Sequence, residues 1–165
     1  MKKFGDILYR LETIVAGTGF VVMVGVITVN VLARFLFSKS FAWAEEIAYL
    51  SFNWAVFFGI CIVYRNQGLI SIDALVSRLP EGVQRAVQAF TFALVGVANI
   101  GLIVWGIELS IQGLVRSTPI LRIPYFWVDL SVPAAALILG GYSFYNMIKC
   151  LKGEKIEEAA LEERT

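Results

Sequence analysis

Two adjacent carboxylates, Glu45 and Glu46, follow Trp43 in the stretch FAWAEEIAYLSFNW, and no further charge occurs until Arg65. Paired carboxylates can work as general acid and base when their surroundings push their proton affinities apart. They can also brace the positive end of a helix. The other residues with chemical reach are three amides in apolar surroundings, Asn30, Asn53 and Asn99, and two isolated thiols, Cys61 and Cys150. The chain contains no histidine, which removes haem held by histidine pairs, histidine-based zinc sites and Ser-His or Cys-His catalysis. It has no C-x-x-C pair and no Gly-rich phosphate loop, so thiol–disulfide exchange and nucleotide chemistry lack their usual signatures. Cys61 reads as core packing. The expectation is a protein that is not an enzyme and uses no cofactor.

The elements that hold these residues follow from composition. The chain is 58% hydrophobic and 16% charged, with a mean hydropathy of +0.74, whereas soluble domains carry about 25% charged residues. Four stretches lack Asp, Glu, Lys and Arg: 13–33 (21 residues), 47–64 (18), 86–107 (22) and 130–148 (19). A helix crosses a bilayer with roughly 17–25 apolar residues. The fold class is therefore an all-α membrane protein with four transmembrane helices, spanning about 13–36, 46–64, 86–108 and 126–148. They form one domain over 1–150, followed by a short charged tail at 151–165. Lys2, Lys3 and Arg10 with Ala42-Trp43-Ala44 mimic a secretion signal. Signal cores run about 7–15 residues, so the longer first stretch reads as a retained helix.

With four spans, the termini and the middle loop share one side. That side carries Lys2, Lys3, Arg10, Arg65, Arg78, Arg85, Lys149, Lys152, Lys155 and Arg164, against Arg34, Lys39, Arg116 and Arg122 on the other. Basic residues favour the cytoplasmic side, which predicts both termini there. The net charge of +1 gives no sign of nucleic-acid binding. Residues 4–14 place Phe4, Ile7, Leu8, Leu11 and Ile14 on one helical face, with Asp6, Arg10 and Glu12 elsewhere on the wheel. Residues 69–79 repeat the pattern, closed by Pro80. Both read as amphipathic helices at the membrane surface, in contact with its lipids, the first feeding directly into the first membrane helix.

Small residues at Ala16, Gly17, Gly19 and Gly25, and the Ala136-xxx-Gly140 spacing, predict close helix contacts. Pro133 predicts a kink in the fourth helix. In the outer loop STPILRIPYFW, Ile120 and Leu121 either dip into the interface or touch a partner.

The candidate residues then fall into place. Glu45 and Glu46 sit at the positive N-terminal end of the second helix, with Ser40 available as a cap. Trp43 suits the interface. Arg34, at the end of the first helix, is placed to pair with Glu45 or Glu46 across a short hairpin, which leaves one glutamate in need of a partner. Asn30, Asn53 and Asn99 fall in the outer half of the bilayer and should face other helices, since an unpartnered amide in lipid is costly. They read as helix–helix contacts, with a solute site as the other reading. Every charged residue lies outside the four charge-free stretches, unlike a self-sufficient ion carrier.

The run from Asn30-x-x-x-Arg34 through WAEEIAYLSFNWAVFFGICIVYR resembles the small membrane subunit of TRAP (tripartite ATP-independent periplasmic) transporters, the DctQ/SiaQ type. Trp43-x-Glu45-Glu46, then Trp54, Gly59 and Arg65, the Ile72-Asp73 region and LRIPYFWVDLSVP carry the likeness over about residues 4–148. It departs at Leu69, where the family often has histidine. The resemblance implies a scaffold in a bacterial inner membrane, packed against a large polytopic subunit that binds sodium and substrate. A soluble periplasmic binding protein would deliver an organic acid such as a carboxylate or sialic acid. The second glutamate would then face the large subunit or the docked binding protein. Hydropathy alone equally allows the small subunit of a tripartite tricarboxylate transporter, against which the WAEE pattern and the amphipathic arm favour TRAP. A haem-free membrane anchor of an oxidoreductase is a weaker alternative.

Overall fold

The computed structural model describes residues 2–65 and 81–151, and among them every regular element is helical. The helices are α1 (Lys2–Phe37), α2 (Ala42–Arg65), α3 (Glu81–Gly113), α4 (Phe126–Asp129) and α5 (Ser131–Leu151). Four segments are long and apolar enough to cross a membrane: Ile7–Phe37, Ala42–Arg65, Gly82–Gly113 and Phe126–Cys150. The expected arm at 69–79 and most of the tail lie outside the described residues.

The helices stand in a row. α1 packs along α2, α3 along α5, and α2 meets α5 in a smaller contact that joins the two pairs, with α4 wedged against α3, α2 and α5. Most large apolar side chains on α1 and α3 consequently face outward, as expected of helices whose solvent is lipid rather than water. Small residues line the seams. Ala33, Ala44 and Ala48 are buried in the α1–α2 contact region, and Ala135 and Ala136 on α5. A Cβ on Gly19 would lie 2.9 Å from the carbonyl oxygen of Ser51 and 3.2 Å from the amide of Ala55, so this glycine lets the two backbones touch. Gly17 and Gly25 face open space instead and take no part in that seam. Gly140 makes an ordinary contact with Asn99.

Two expectations are sharpened in the structure. Residues 4–14 feed directly into the first long helix, since α1 runs through them without interruption. Ile7, Leu11 and Ile14 point outward while Glu12 is 0% exposed, so the charge expected off the apolar face is the group turned inward. In the fourth span the regular helix pattern breaks for one residue at Leu130, between α4 and α5, while Leu130 keeps helical dihedrals. The cause is Pro133: a proline ring collides with the carbonyl four residues earlier, here that of Asp129, and supplies no N–H to it. Pro133 itself packs against Gly106, where a Cβ would come within 2.9 Å of its ring.

Candidate functional site

Two polar clusters sit at opposite ends of the row. At the hairpin end, where α1 turns into α2 and α3 into α4, Glu46 is the central group. Its Oε1 accepts the backbone N–H of Ile120 and its Oε2 that of Leu121, both at 2.8 Å. The loop it grips is folded back on itself. Thr118 N–H donates to the Ile123 carbonyl (2.9 Å), Ile123 N–H to Thr118 Oγ1 (3.0 Å), and Tyr125 N–H to the Arg116 carbonyl (3.0 Å). An isolated bridge pairs Ser117 with Pro124, and Arg122 takes a left-handed φ of 53°. Below the loop, Trp54 Nε1 donates to the Trp127 carbonyl (2.9 Å), and Arg116 lies 3.7 Å from Asp129. Gly113 makes the turn possible: a Cβ there would sit 2.7 Å from the Phe126 amide.

The other hairpin is held by Asn30, which is buried and whose Oδ1 accepts the N–H of Phe41 at 2.8 Å. Ser38 ends α1 in a left-handed conformation, φ 51°. The first turn of α2 closes through Ala44 N–H to the Phe41 carbonyl; Ser40 is exposed and caps nothing. Arg34 and Glu45 are exposed, and Arg34 pairs with neither glutamate. The expected ion pair is therefore replaced by two different bonds. Asn30 ties α1 to the start of α2, and Glu46 turns toward the far loop rather than toward α1. Trp43 stays partly exposed with its ring 5.8 Å from that of Phe41.

At the terminal end the cluster is charged and aromatic. Arg65 Nη1 donates to the Gly5 carbonyl (2.7 Å), and its guanidinium carbon lies 4.9 Å from the ring centre of Tyr9 and 5.8 Å from that of Tyr142. Tyr142 donates its hydroxyl to Glu12 Oε1 at 3.0 Å, while Glu12 Oε2 is buried without a hydrogen-bond partner. Cys61 is fully buried and reaches the carbonyls of Phe57 and Ala135 through its thiol. This is the packing role expected of it. The Glu12–Tyr142 bond reaches from α1 to α5, two helices that do not otherwise pack as neighbours in the row.

The eight sequence candidates thus separate. Asn30, Glu46 and Arg65 each tie distant segments together. Asn53 Nδ2 donates to the Tyr49 carbonyl and Asn99 Nδ2 to that of Val95, each one turn back on its own helix. Asn99 is buried, with Oδ1 unpartnered. Arg34, Trp43 and Glu45 remain at the surface. Glu12 and Tyr142 were missed, and so was Thr118. Among the described residues no group of three His, Cys, Asp or Glu side chains could hold a metal ion. The chemistry on offer is the fastening of loops and helices.

Comparison with known proteins adds the following. Residues 23–153 match the family model described as tripartite ATP-independent periplasmic transporters, DctQ component. The chain is 27% identical over 130 residues to the sialic acid TRAP transporter permease protein SiaT of Haemophilus influenzae (strain 86-028NP). That alignment covers 79% of this chain and 21% of SiaT, so the chain spans about a fifth of that relative. It is 22% identical over 156 residues to the sialic acid TRAP transporter small permease protein SiaQ of Vibrio cholerae serotype O1, covering 93% of this chain and 90% of SiaQ.

Proposed function

The chain belongs to the DctQ family of TRAP transporter small permease subunits, and on that premise we propose that it is the membrane scaffold of a sodium-driven importer of an organic acid. It is a transporter subunit, with multi-pass helices in a membrane. The match over residues 23–153 carries the reading. In the proposal the chain sits in a bacterial inner membrane with both termini cytoplasmic, following the ten-to-four split of basic residues between its two sides. A large membrane subunit binds sodium and substrate, and a soluble periplasmic protein delivers the solute. Sialic acid is the first substrate to test, because both relatives named above carry it in their names.

The internal chemistry supports a scaffold. Glu46, Asn30 and Arg65 each hydrogen-bond this chain's own backbone, which is a fastening role. The exposed residues at the hairpin end, Arg34, Trp43 and Glu45, are the ones we assign to contact with partner subunits. The test is a mild-detergent pull-down of the tagged chain from its native membrane, followed by reconstitution with what co-purifies. The expected outcome is a much larger polytopic protein, with uptake only when sodium and the binding protein are both supplied. Uptake by this chain alone, or its isolation as a homo-oligomer, would overturn the proposal.

A further inference from the structure

We propose that the loop 117–124 is a lipid anchor, with Ile120 and Leu121 seated in the bilayer interface at the hairpin end. The inference rests on the reading of the four long helices as membrane spans.

The first observation is where most of the loop's donors go. Thr118, Ile120, Leu121, Ile123 and Tyr125 all have their backbone N–H groups bonded, and Pro119 and Pro124 have none to bond. The donors of the two apolar residues at the tip are taken by a carboxylate 74 and 75 residues away in sequence. A loop tip in water needs no such partner, because water bonds its donors at no cost. A tip entering lipid must bring its partners with it. The residues so treated are Ile120 and Leu121, 52% and 41% exposed. The left-handed backbone at Arg122 is a strained conformation that these bonds hold in place.

The second observation is depth. Asn30 bonds the amide of Phe41, so the start of α2 is level with Asn30. α1 then continues through residues 31–37, about 10 Å further, and Phe35, Leu36 and Phe37 there are exposed. Glu46 lies one turn inside α2, so the tip it holds is level with apolar α1 surface that extends well past it. Ile120 and Leu121 are thus continuous with the surface already assigned to lipid. The rim suits the headgroups: Arg122 and Lys39 are exposed cations for lipid phosphates, and the exposed ring of Trp127 suits the polar–apolar boundary.

The test uses the whole transporter complex reconstituted in liposomes without binding protein. The small subunit lacks Cys61 and Cys150 and carries a bimane probe at Leu121→Cys or, separately, Ile120→Cys. Bromine-labelled phosphatidylcholine should remove most of the probe's emission, and aqueous iodide should leave it nearly unchanged. Glu46→Gln, which replaces one acceptor oxygen by an amide donor, should raise iodide quenching and lower bromolipid quenching. Iodide quenching in the parent protein would overturn the anchor. Iodide quenching that vanishes when binding protein is added would replace it with a docking site. Protection from both quenchers would replace it with a contact to the large subunit. Control probes at Val21→Cys on α1 and Val97→Cys on α3, on the two edge helices, test the spans themselves: bromolipid quenching of neither would sink the membrane reading rather than the anchor.

Discussion

The two ends of the helix row are fastened by opposite means. At the hairpin end, side-chain acceptors hold backbone donors: Asn30 takes one amide of the α1–α2 turn and Glu46 two amides of the 117–124 loop. At the terminal end, among the described residues, a cation lies against two aromatic rings with a buried carboxylate beyond them, and bonds one backbone carbonyl. The hairpin end therefore fixes the shape of loops. The terminal end fixes the spacing of helices, since Glu12 on α1 reaches Tyr142 on α5 across the α2 seam. A row of helices has no shared core, so its order has to be specified by such long-range bonds and by glycines at the seams.

The largest effect should come from the turn geometry. A Cβ on Gly113 meets the backbone of Phe126 at 2.7 Å and Asp129 Oδ2 at 2.9 Å, and neither the α3–α4 turn nor the packed end of α4 can move aside. Gly113→Ala should cost about 3 kcal/mol, the upper end of overpacking penalties. Gly25→Ala, where a Cβ meets nothing within 4 Å, should instead be neutral or stabilise by up to about 1 kcal/mol through helix propensity. Equilibrium unfolding in mixed micelles compares the two. Equal effects would mean that the seams, and not the turn, limit stability.

At the terminal end, Tyr142→Phe leaves both oxygens of Glu12 buried without a hydrogen bond. Stranding a buried acceptor costs about 1–3 kcal/mol. Pairing this change with Glu12→Gln in a double-mutant cycle should give a coupling of at least about 0.5 kcal/mol, as for residues in contact. Additive effects would break the claim that this bond links α1 to α5.

The hairpin end responds differently, since its bonds hold loops rather than helices. Glu46→Gln should raise hydrogen exchange at the amides of Ile120 and Leu121 several-fold, while Glu45→Gln leaves them unchanged. The two glutamates are neighbours in sequence, but only Glu46 touches the loop. Equal responses would erase the distinction between them.

The parts of this arrangement visible in the sequence are those with a period or a run. Charge-free stretches of 18 to 22 residues announce four helices, and proline at 133 announces a break near it. The sequence leaves one of the two glutamates without a partner, but a backbone amide 74 residues away has no signature that could assign it to Glu46. Glu12 was misjudged for a physical reason. The helical wheel sends charge toward water and apolar residues toward the core, whereas a helix in lipid reverses that rule and turns Ile7, Leu11 and Ile14 outward and Glu12 inward. Gly19 and Gly25 look alike in sequence, because nothing local records which side of α1 meets α2.

The smallest effect sharpens the comparison most economically. Arg34 looked like the natural counter-ion for Glu45 or Glu46, yet it is exposed and pairs with neither, because Asn30 already closes the α1–α2 turn through a neutral bond. Arg34→Ala should therefore change the stability of the isolated chain by no more than about 0.5 kcal/mol, as at a surface position without partners. Arg34→Glu should do little more, although it places three acids around the turn. The same reversal examined in the complex reads something else: if Arg34 faces a partner subunit, the yield of large subunit retained in a pull-down should fall while the isolated chain remains folded. A loss of stability in the isolated chain would show that the α1–α2 turn does depend on an ion pair of Arg34, and the contrast between an end clasped through backbone amides and an end held by side chains would no longer hold.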